Sequence, residues 1–105
     1  MKQRLYIDTS VFGGYFDEEF SEFTRPLFER LQDGEFKLLF SSITQDEMHI
    51  ALATINRADY LISWNFKHIV NVQRIRGYNS INIKNGYKEL EIRSPRDFMN
   101  YEDYN

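Results

Sequence analysis

Four residues whose side-chain oxygens could bind a metal ion lie next to apolar segments of this 105-residue sequence: Asp8, Asp46, Glu47 and Asn65. Asp8 and Asn65 follow short apolar runs that are typical of buried parallel strands. Ligands of an open parallel sheet bind beyond the carboxyl ends of its strands, so these side chains could converge there. Carboxylate and amide oxygens are the ligands that Mg²⁺ and Mn²⁺ prefer, and such ions activate water toward phosphodiesters. The spacing therefore suggests a metal site.

A purely structural interpretation fits the same residues. Asp8 precedes Thr9 and Ser10, and this order is also that of an ordinary strand-to-helix turn in which Thr9 or Ser10 caps the helix. Asp46 and Glu47 are favoured in a first helical turn by the helix dipole. From the residues alone, both interpretations stay open.

The elements that would position these side chains alternate between strand and helix. Apolar periodicity predicts strands at residues 5–7, 36–40 and 60–63, with helices at about 20–31 and 45–57. Pro26 requires that the first of these helices start near it or kink, and Gly34 should close it. Thr44 and Glu47 have the spacing of a capping box. The alternation predicts an α/β fold with a mostly parallel central sheet flanked by helices.

The last third of the sequence has a different pattern. We predict a helix over residues 66–76 and two short extended pieces at 80–83 and 89–92. Asn85-Gly86 between these pieces is a strong turn signal. Pro95 should open a short terminal helix over residues 96–101.

Composition bounds the function classes. The length predicts a single domain, 1–105. The chain has no cysteine, which excludes disulfides and thiolate metal sites and is compatible with the cytoplasm, where we expect the protein. No run approaches the roughly 18 apolar residues that span a bilayer, so we expect no membrane association. The net charge of −3 gives no global attraction to nucleic acid, although the charge is uneven: the acids Asp17, Glu18, Glu19 and Glu22 lie together near the start, and seven basic residues lie in the last part (Lys67, Arg74, Arg76, Lys84, Lys88, Arg93 and Arg96).

Several segments in order resemble the landmarks of the PIN domain family. They are LYIDTSV at 5–11, IALAT at 50–54, ADYLISWNFKHI at 58–69 and IRSPRDF at 92–98. The resemblance covers the chain almost from end to end. It implies a three-layer PIN-like fold, and a metal-dependent ribonuclease that cleaves RNA phosphodiesters. Asp8 matches the first acid of the family, which is a ligand of Mg²⁺ (or Mn²⁺). Many members are the toxins of type II toxin-antitoxin pairs, so the resemblance also implies an antitoxin protein as partner.

The middle of the chain departs from the family pattern. Glu47 matches the second acid by its distance from Thr44, whereas Asp46 matches the third by its distance from His49. Adjacent helical residues point about 100° apart, so only one of the two is expected to face Asp8. The pair of helices that separates these acids in relatives is missing, as if the domain were truncated internally near residues 44–48. Such a deletion would uncover apolar surface and favour a homodimer. The alternative function is therefore a catalytically impaired PIN remnant that acts as a binding or dimerisation module.

If the site works, the resemblance assigns catalytic roles to Asp8, Asp46, Glu47 and Asn65 and metal binding to the three acids. Ser10 would orient water or the phosphate, together with Asn65. Single-stranded RNA would stack on exposed aromatic rings and contact basic side chains. The candidates are Trp64, Tyr78 and Tyr87 for stacking, and Arg74, Arg76, Lys84 and Lys88 for the phosphates. The competing interpretations are a solvated surface for the basic residues and a core or pocket-wall position for Trp64.

Two further site classes are not supported. His49 and His68 lie in apolar stretches, where packed or capping imidazoles are the common case, and their spacing matches no standard zinc motif. The sequence also contains no P-loop and no glycine-rich dinucleotide fingerprint, so a nucleotide-binding domain is disfavoured.

Overall fold

The sheet is parallel throughout the part of the chain that the structure describes. The computed structural model describes residues 2–40 and 46–103, without the side chains of residues 46, 47 and 101–103. Its four strands lie in the order β2-β1-β3-β4, and each pairs in parallel with its neighbours. The strands are β1 (Gln3–Ile7), β2 (Phe36–Phe40), β3 (Tyr60–Ile62) and β4 (Glu91–Arg93). The predicted α/β class with a parallel central sheet is confirmed.

Helices cover both faces of this sheet, so the fold has three layers. The helices are α1 (Thr9–Gly14), α2 (Ser21–Gln32), α3 (Asp46–Ile55), α4 (Val72–Lys84) and α5 (Pro95–Asp103). One buried cluster joins one face of the sheet to α1, α2 and α5, and a second joins the other face to α3 and to the turn before α4. No helix within the described residues is both long and apolar enough to cross a membrane.

Side chains of the central strand alternate between these two clusters, as strand geometry requires. Leu5 and Ile7 pack with Leu27 and Phe98 in the first cluster, whereas Tyr6 packs in the second. Burial of a large apolar side chain contributes about 1.5–3 kcal/mol, and Leu5, Tyr6 and Ile7 are all buried, so both faces of β1 stabilise the fold. β1 is therefore a rigid support for the residue that follows it, Asp8.

The prediction for the last third was partly wrong. Residues 66–70 form a turn instead of a helix, and α4 begins only after Asn71, whose side chain accepts hydrogen bonds from the Gln73 and Arg74 amides. Residues 80–83 belong to α4 and are not extended, and Gly86, with φ of +84°, ends this helix instead of forming a hairpin. The second predicted extended piece is β4, and Pro95 does open α5.

Tertiary contacts explain why residues 80–83 are helical. Their sequence alternates apolar and polar residues as a strand does, yet Ile81 and Ile83 are exposed. Two asparagines of α4 face inward instead: Asn79 exchanges two hydrogen bonds with the backbone of Leu90, and Asn82 donates to Thr54 Oγ1 at 3.0 Å. These long-range contacts fix the helix and have no local signal.

Two further expectations about helix ends were corrected. The residue that caps α1 is Asp8 itself, and not Thr9 or Ser10. Of the two alternatives for Pro26, a helix start near it is wrong, because α2 begins at Ser21, whereas a kink stays a prediction. A proline in a helix interior costs about 3 kcal/mol, and here the burial of Thr24 and Leu27 on either side holds the helix together. Gly34 follows the end of α2, with φ of +77°.

The predicted capping box falls partly on residues that are not described. Thr44 lies outside the described residues, and so does the side chain of Glu47. The internal truncation near residues 44–48 stays a prediction for the same reason.

Candidate active site at the carboxyl edge of the sheet

The carboxylate of Asp8 is the centre of a hydrogen-bond network at the carboxyl ends of the two central strands. Asp8 is buried, with only 3% of the residue exposed. Oδ1 accepts hydrogen bonds from the amide and the hydroxyl of Ser10, at 3.0 and 2.5 Å. Oδ2 accepts one from the hydroxyl of Ser63, at 2.5 Å. Three donors therefore hold a buried carboxylate in one orientation.

Local backbone geometry explains this position. The Asp8 amide donates to the carbonyl of Ile62 at 3.2 Å, which continues the pairing of β1 with β3 by one residue. Asp8 has an extended backbone, and its side chain caps α1, a position that aspartate favours because the carboxylate accepts from free helical amides. The strand end and the helix start thus share one residue, and both the catalytic and the structural interpretation of Asp8 fit.

The two serine hydroxyls extend the network to the next loop. Ser10 Oγ accepts from the Trp64 amide at 2.9 Å, and Ser63 Oγ accepts from the Asn65 amide at the same distance. The two oxygens lie 3.4 Å apart. Ser63 is fully buried and was not among the predicted site residues. The available signal was its place directly after β3, equivalent to that of Asp8 after β1.

Asn65 lies beside the network, as predicted, and it also has a structural task. Its Oδ1 accepts from the His68 amide at 2.9 Å and so caps the turn that leads toward α4. The structure thus brings together Asp8, Ser10 and Asn65, with Ser63 as the link between them.

The backbone of Trp64 joins the network, whereas its indole packs against the start of α2. Its Nε1 donates to Thr24 Oγ1 at 2.8 Å, and its ring stacks on Phe20 at a centroid distance of 4.4 Å. Trp64 is buried, which agrees with the core or pocket-wall interpretation and removes it as a platform for bases. Gly14 leaves the room that the indole needs, since a Cβ there would lie 2.8 Å from Nε1.

The predicted phosphate-binding residues lie on a different element. Arg74 and Arg76 are exposed in the first turns of α4, and neither guanidinium makes a hydrogen bond or ion pair with described residues. Lys84 lies at the far end of the same helix. The ammonium of Lys88 forms an ion pair with Asp59 at 3.1 Å. This pair lies at the amino ends of the strands, whereas Asp8 lies at their carboxyl ends. No described contact joins these four cations to Asp8.

The second and third predicted acids are placed only by their backbone. α3 begins at Asp46, followed by Glu47, and the side chains of both lie outside the described residues. Within the described part of the chain, no group of three His, Cys, Asp or Glu side chains forms a cluster suited to a metal ion.

The contacts around both histidines favour a structural role. His49 is 2% exposed, and its Nδ1 lies 2.9 Å from the hydroxyl of Tyr6. His68 is half-buried, and its carbonyl accepts from the hydroxyl of Tyr78. The Tyr78 hydroxyl is thereby fixed, whereas Tyr87 is exposed. The packed interpretation of His49 is supported by its burial.

The clearest electrostatic stabilisation of a carboxylate is that of Asp59, which lies at the amino ends of the strands and away from Asp8. Burial would raise the pKa of Asp59, but hydrogen bonds from the Arg4 amide and the Lys88 ammonium, with the positive charges of both residues, outweigh it. The pKa of Asp59 therefore lies below its ordinary value of 3.8. The Asp59 carboxylate therefore stabilises the fold, and a substitution of Asp59 can serve as a control for a substitution of Asp8.

The Asp8 carboxylate has one acceptor position left, and a hard divalent cation could bind there. A carboxylate has about four acceptor positions, and the three donors at Asp8 leave one, on Oδ2. One carboxylate with bound waters is a common way to hold Mg²⁺. The sequence prediction assigns further carboxylate ligands to the start of α3, which begins with Asp46 and Glu47. Comparison with models of protein families, with curated proteins and with solved structures gave no match to this chain.

Proposed function

We propose that this protein is a PIN-type ribonuclease that uses Mg²⁺ or Mn²⁺ to hydrolyse RNA phosphodiesters. The observation that carries the proposal is the buried, triply hydrogen-bonded carboxylate of Asp8 at the carboxyl end of the central strand. That edge is where parallel α/β sheets bind their ligands. The family and the RNA substrate of this proposal are inferred from the order of the segments that resemble PIN domains.

In this proposal Asp8 is the fixed ligand of the metal. The hydroxyls of Ser10 and Ser63 donate to it, so they hold its oxygens in place and lower the cost of keeping a carboxylate buried. Asp46 or Glu47 supplies the second carboxylate from the start of α3. A bound divalent ion would supply positive charge to the phosphate and activate water for an in-line attack.

The remaining residues position the substrate. Asn65 stays beside the carboxylates because its side chain caps its own turn, and it orients the phosphate. Arg74 and Arg76 contact the RNA backbone from α4, and their exposed guanidinium groups are suited to that task. In the wider proposal the enzyme is the toxin of a type II pair, acts in the cytoplasm and is inhibited by an antitoxin protein.

A second candidate function is favoured by the same network. Three donors at Asp8 are enough to make its carboxylate a structural tie between β1 and β3 without any metal. Under this alternative the chain is a PIN remnant that has lost catalysis and serves as a binding or dimerisation module.

Thermal unfolding in the presence of Mg²⁺ or Mn²⁺ separates the two candidates. A ligand at 100 times its Kd stabilises the folded state by about 2.7 kcal/mol. The ribonuclease proposal predicts a saturable rise in Tm for the wild type and none for Asp8→Asn, whereas Asp59→Asn should keep the rise. A Tm that is indifferent to both ions in the wild type would reject the ribonuclease and leave the remnant.

A further inference from the structure

The strand β2 is an open edge of the sheet. It pairs with β1 along all five of its residues, and no other described strand lies on its outer side. An open edge presents free N–H and C=O groups that pair readily with another strand, and proteins usually protect such edges with charges, proline or bulges. β2 contains one charged residue, Lys37, and no proline. Within the described part of the chain, the outer side of β2 therefore has little of this protection.

Apolar side chains line this edge. Phe36, Leu38 and Phe40 are in register with Gln3, Leu5 and Ile7 of β1 and so share a face of the sheet with them. Phe36 is buried under the helices, Leu38 is partly exposed and Phe40 is 65% exposed. The helix layer thus covers the start of β2 and leaves its end uncovered.

The exposed end of β2 continues into a strip of aromatic rings on α1, on the turn after it and on α2. We call this the aromatic strip; its members are Phe12, Tyr15, Phe16, Phe28 and Phe40. Successive ring centroids along the strip, from Phe40 through Phe12, Phe28 and Tyr15 to Phe16, are 5.9, 5.5, 5.6 and 5.1 Å apart. Phe16, at the end of the strip, is 82% exposed. Contiguous apolar surface of this kind marks an interaction site.

The sequence of β2 indicates what covers this edge. FKLLF is nearly the same in both directions about Leu38. In an antiparallel pair of two such strands, Leu38 lies opposite Leu38, Phe36 opposite Phe40, and Lys37 opposite Leu39. No like charges face each other directly, and each apolar residue on the aromatic face meets another. We propose that two copies of this chain pair through β2 in an antiparallel two-fold arrangement, which makes one continuous eight-stranded sheet.

The available surface fits a reversible dimer. A fully exposed Phe offers on the order of 200 Å², so Phe16 and Phe40 together offer on the order of 300 Å² per copy. A standard interface buries about 800 Å² per partner. The strand edge, Leu38 and Phe12 add to the aromatic contribution, so the dimer should depend on protein concentration. This inference requires no catalysis and is independent of the proposed ribonuclease.

Sedimentation of the 105-residue chain from about 1 to 100 µM tests the interface. We expect a concentration-dependent dimer that Phe40→Lys weakens at least about tenfold, because the variant would bury a charge. The matched control is Ile81→Lys on α4, where the side chain is 61% exposed and lies away from β2. Circular dichroism should give the same helix content for both variants. A monomer throughout this range, or a dimer sensitive only to Ile81→Lys, would overturn the inference.

A cross-link locates the pairing without destabilising it. Because the chain has no cysteine, Leu38→Cys introduces a single thiol that the two-fold pair would place opposite its own copy. Directly opposed Cβ atoms lie about 4.5–5.5 Å apart, close to the separation that a disulfide needs. Mild oxidation should convert most of this variant to a covalent dimer and leave Ile81→Cys largely monomeric. Equal cross-linking of the two variants would contradict the proposal, and so would a chain that stays uncross-linked at position 38.

Discussion

Ser63 donates a hydrogen bond of 2.5 Å to Asp8 Oδ2 across the two central strands, between residues that are 55 positions apart in the sequence. Ser63 follows β3 and Asp8 follows β1, so the contact joins the carboxyl ends of neighbouring strands. The same contact fixes the carboxylate on which the proposed chemistry depends. Stability and function are therefore coupled at this pair.

Replacing Ser63 should reveal this coupling. Ser63→Ala leaves a buried carboxylate oxygen without its donor, which costs about 1–3 kcal/mol of unfolding free energy. Urea denaturation would measure this loss. Ser80→Ala, at an exposed position of α4, is the matched control and should change stability by less than about 0.5 kcal/mol. Equal stability of Ser63→Ala and wild type would show that Asp8 does not need this donor.

Two adjacent glycines should respond oppositely to the same substitution. In Gly14→Ala the new Cβ would lie 2.8 Å from Trp64 Nε1, so we expect a loss of about 1–3 kcal/mol from overpacking against the buried indole. Gly13→Ala meets nothing within 4 Å and should be neutral or stabilise α1 by up to about 1 kcal/mol. Thermal unfolding compares them. The packing argument fails if Gly14→Ala is as stable as Gly13→Ala.

The stability contribution of Asp59 should depend on pH. Because the folded state lowers the pKa of Asp59, its ionised form stabilises the fold above the ordinary value of 3.8, and this contribution is lost as the pH falls through the folded pKa. Wild type should therefore be more stable than Asp59→Asn at pH 7, with the difference shrinking below about pH 4. Denaturation of both proteins across this range measures the difference. A gap that grows toward acid pH would contradict the assignment.

The α4 arginines should bind RNA mainly through charge. Replacing Arg74 and Arg76 by Gln removes two cations, so affinity for single-stranded RNA should fall and the salt dependence of log K should become shallower by about 1.4. Lys2→Gln, an exposed cation at the start of β1, is the control and should leave both quantities unchanged. Fluorescence anisotropy at several salt concentrations would measure them. Unchanged RNA affinity in the double variant would remove both arginines from the proposed interface.

The fold was predictable where local sequence determines the structure. The apolar runs of β1, β2 and β3 and the periodicity of α2 gave correct elements because their burial pattern lies within each segment. α4 was misplaced because its start depends on the Asn71 cap, and its inward face on hydrogen bonds from Asn79 and Asn82 to distant partners. Such contacts appear only after the chain has folded.

The candidate site was predictable in part, for the same reason. Asp8 and Asn65 could be placed at one edge of the sheet because both follow predicted parallel strands. Ser63 was missed, since a serine at a strand end has no distinctive pattern until the partner carboxylate is known. The positions of Arg74 and Arg76 on the surface of α4 followed from the corrected helix, not from the sequence.

The most direct test of the central claim is cleavage of a single-stranded RNA by the purified chain with Mg²⁺ or Mn²⁺. Wild type, Asp8→Asn and Asp59→Asn should be purified identically and assayed with and without a chelator. We predict metal-dependent cleavage by wild type and Asp59→Asn, and a loss of at least about a hundredfold in Asp8→Asn. Cleavage by Asp8→Asn at the wild-type rate, or no metal-dependent cleavage by the wild type, would contradict the account.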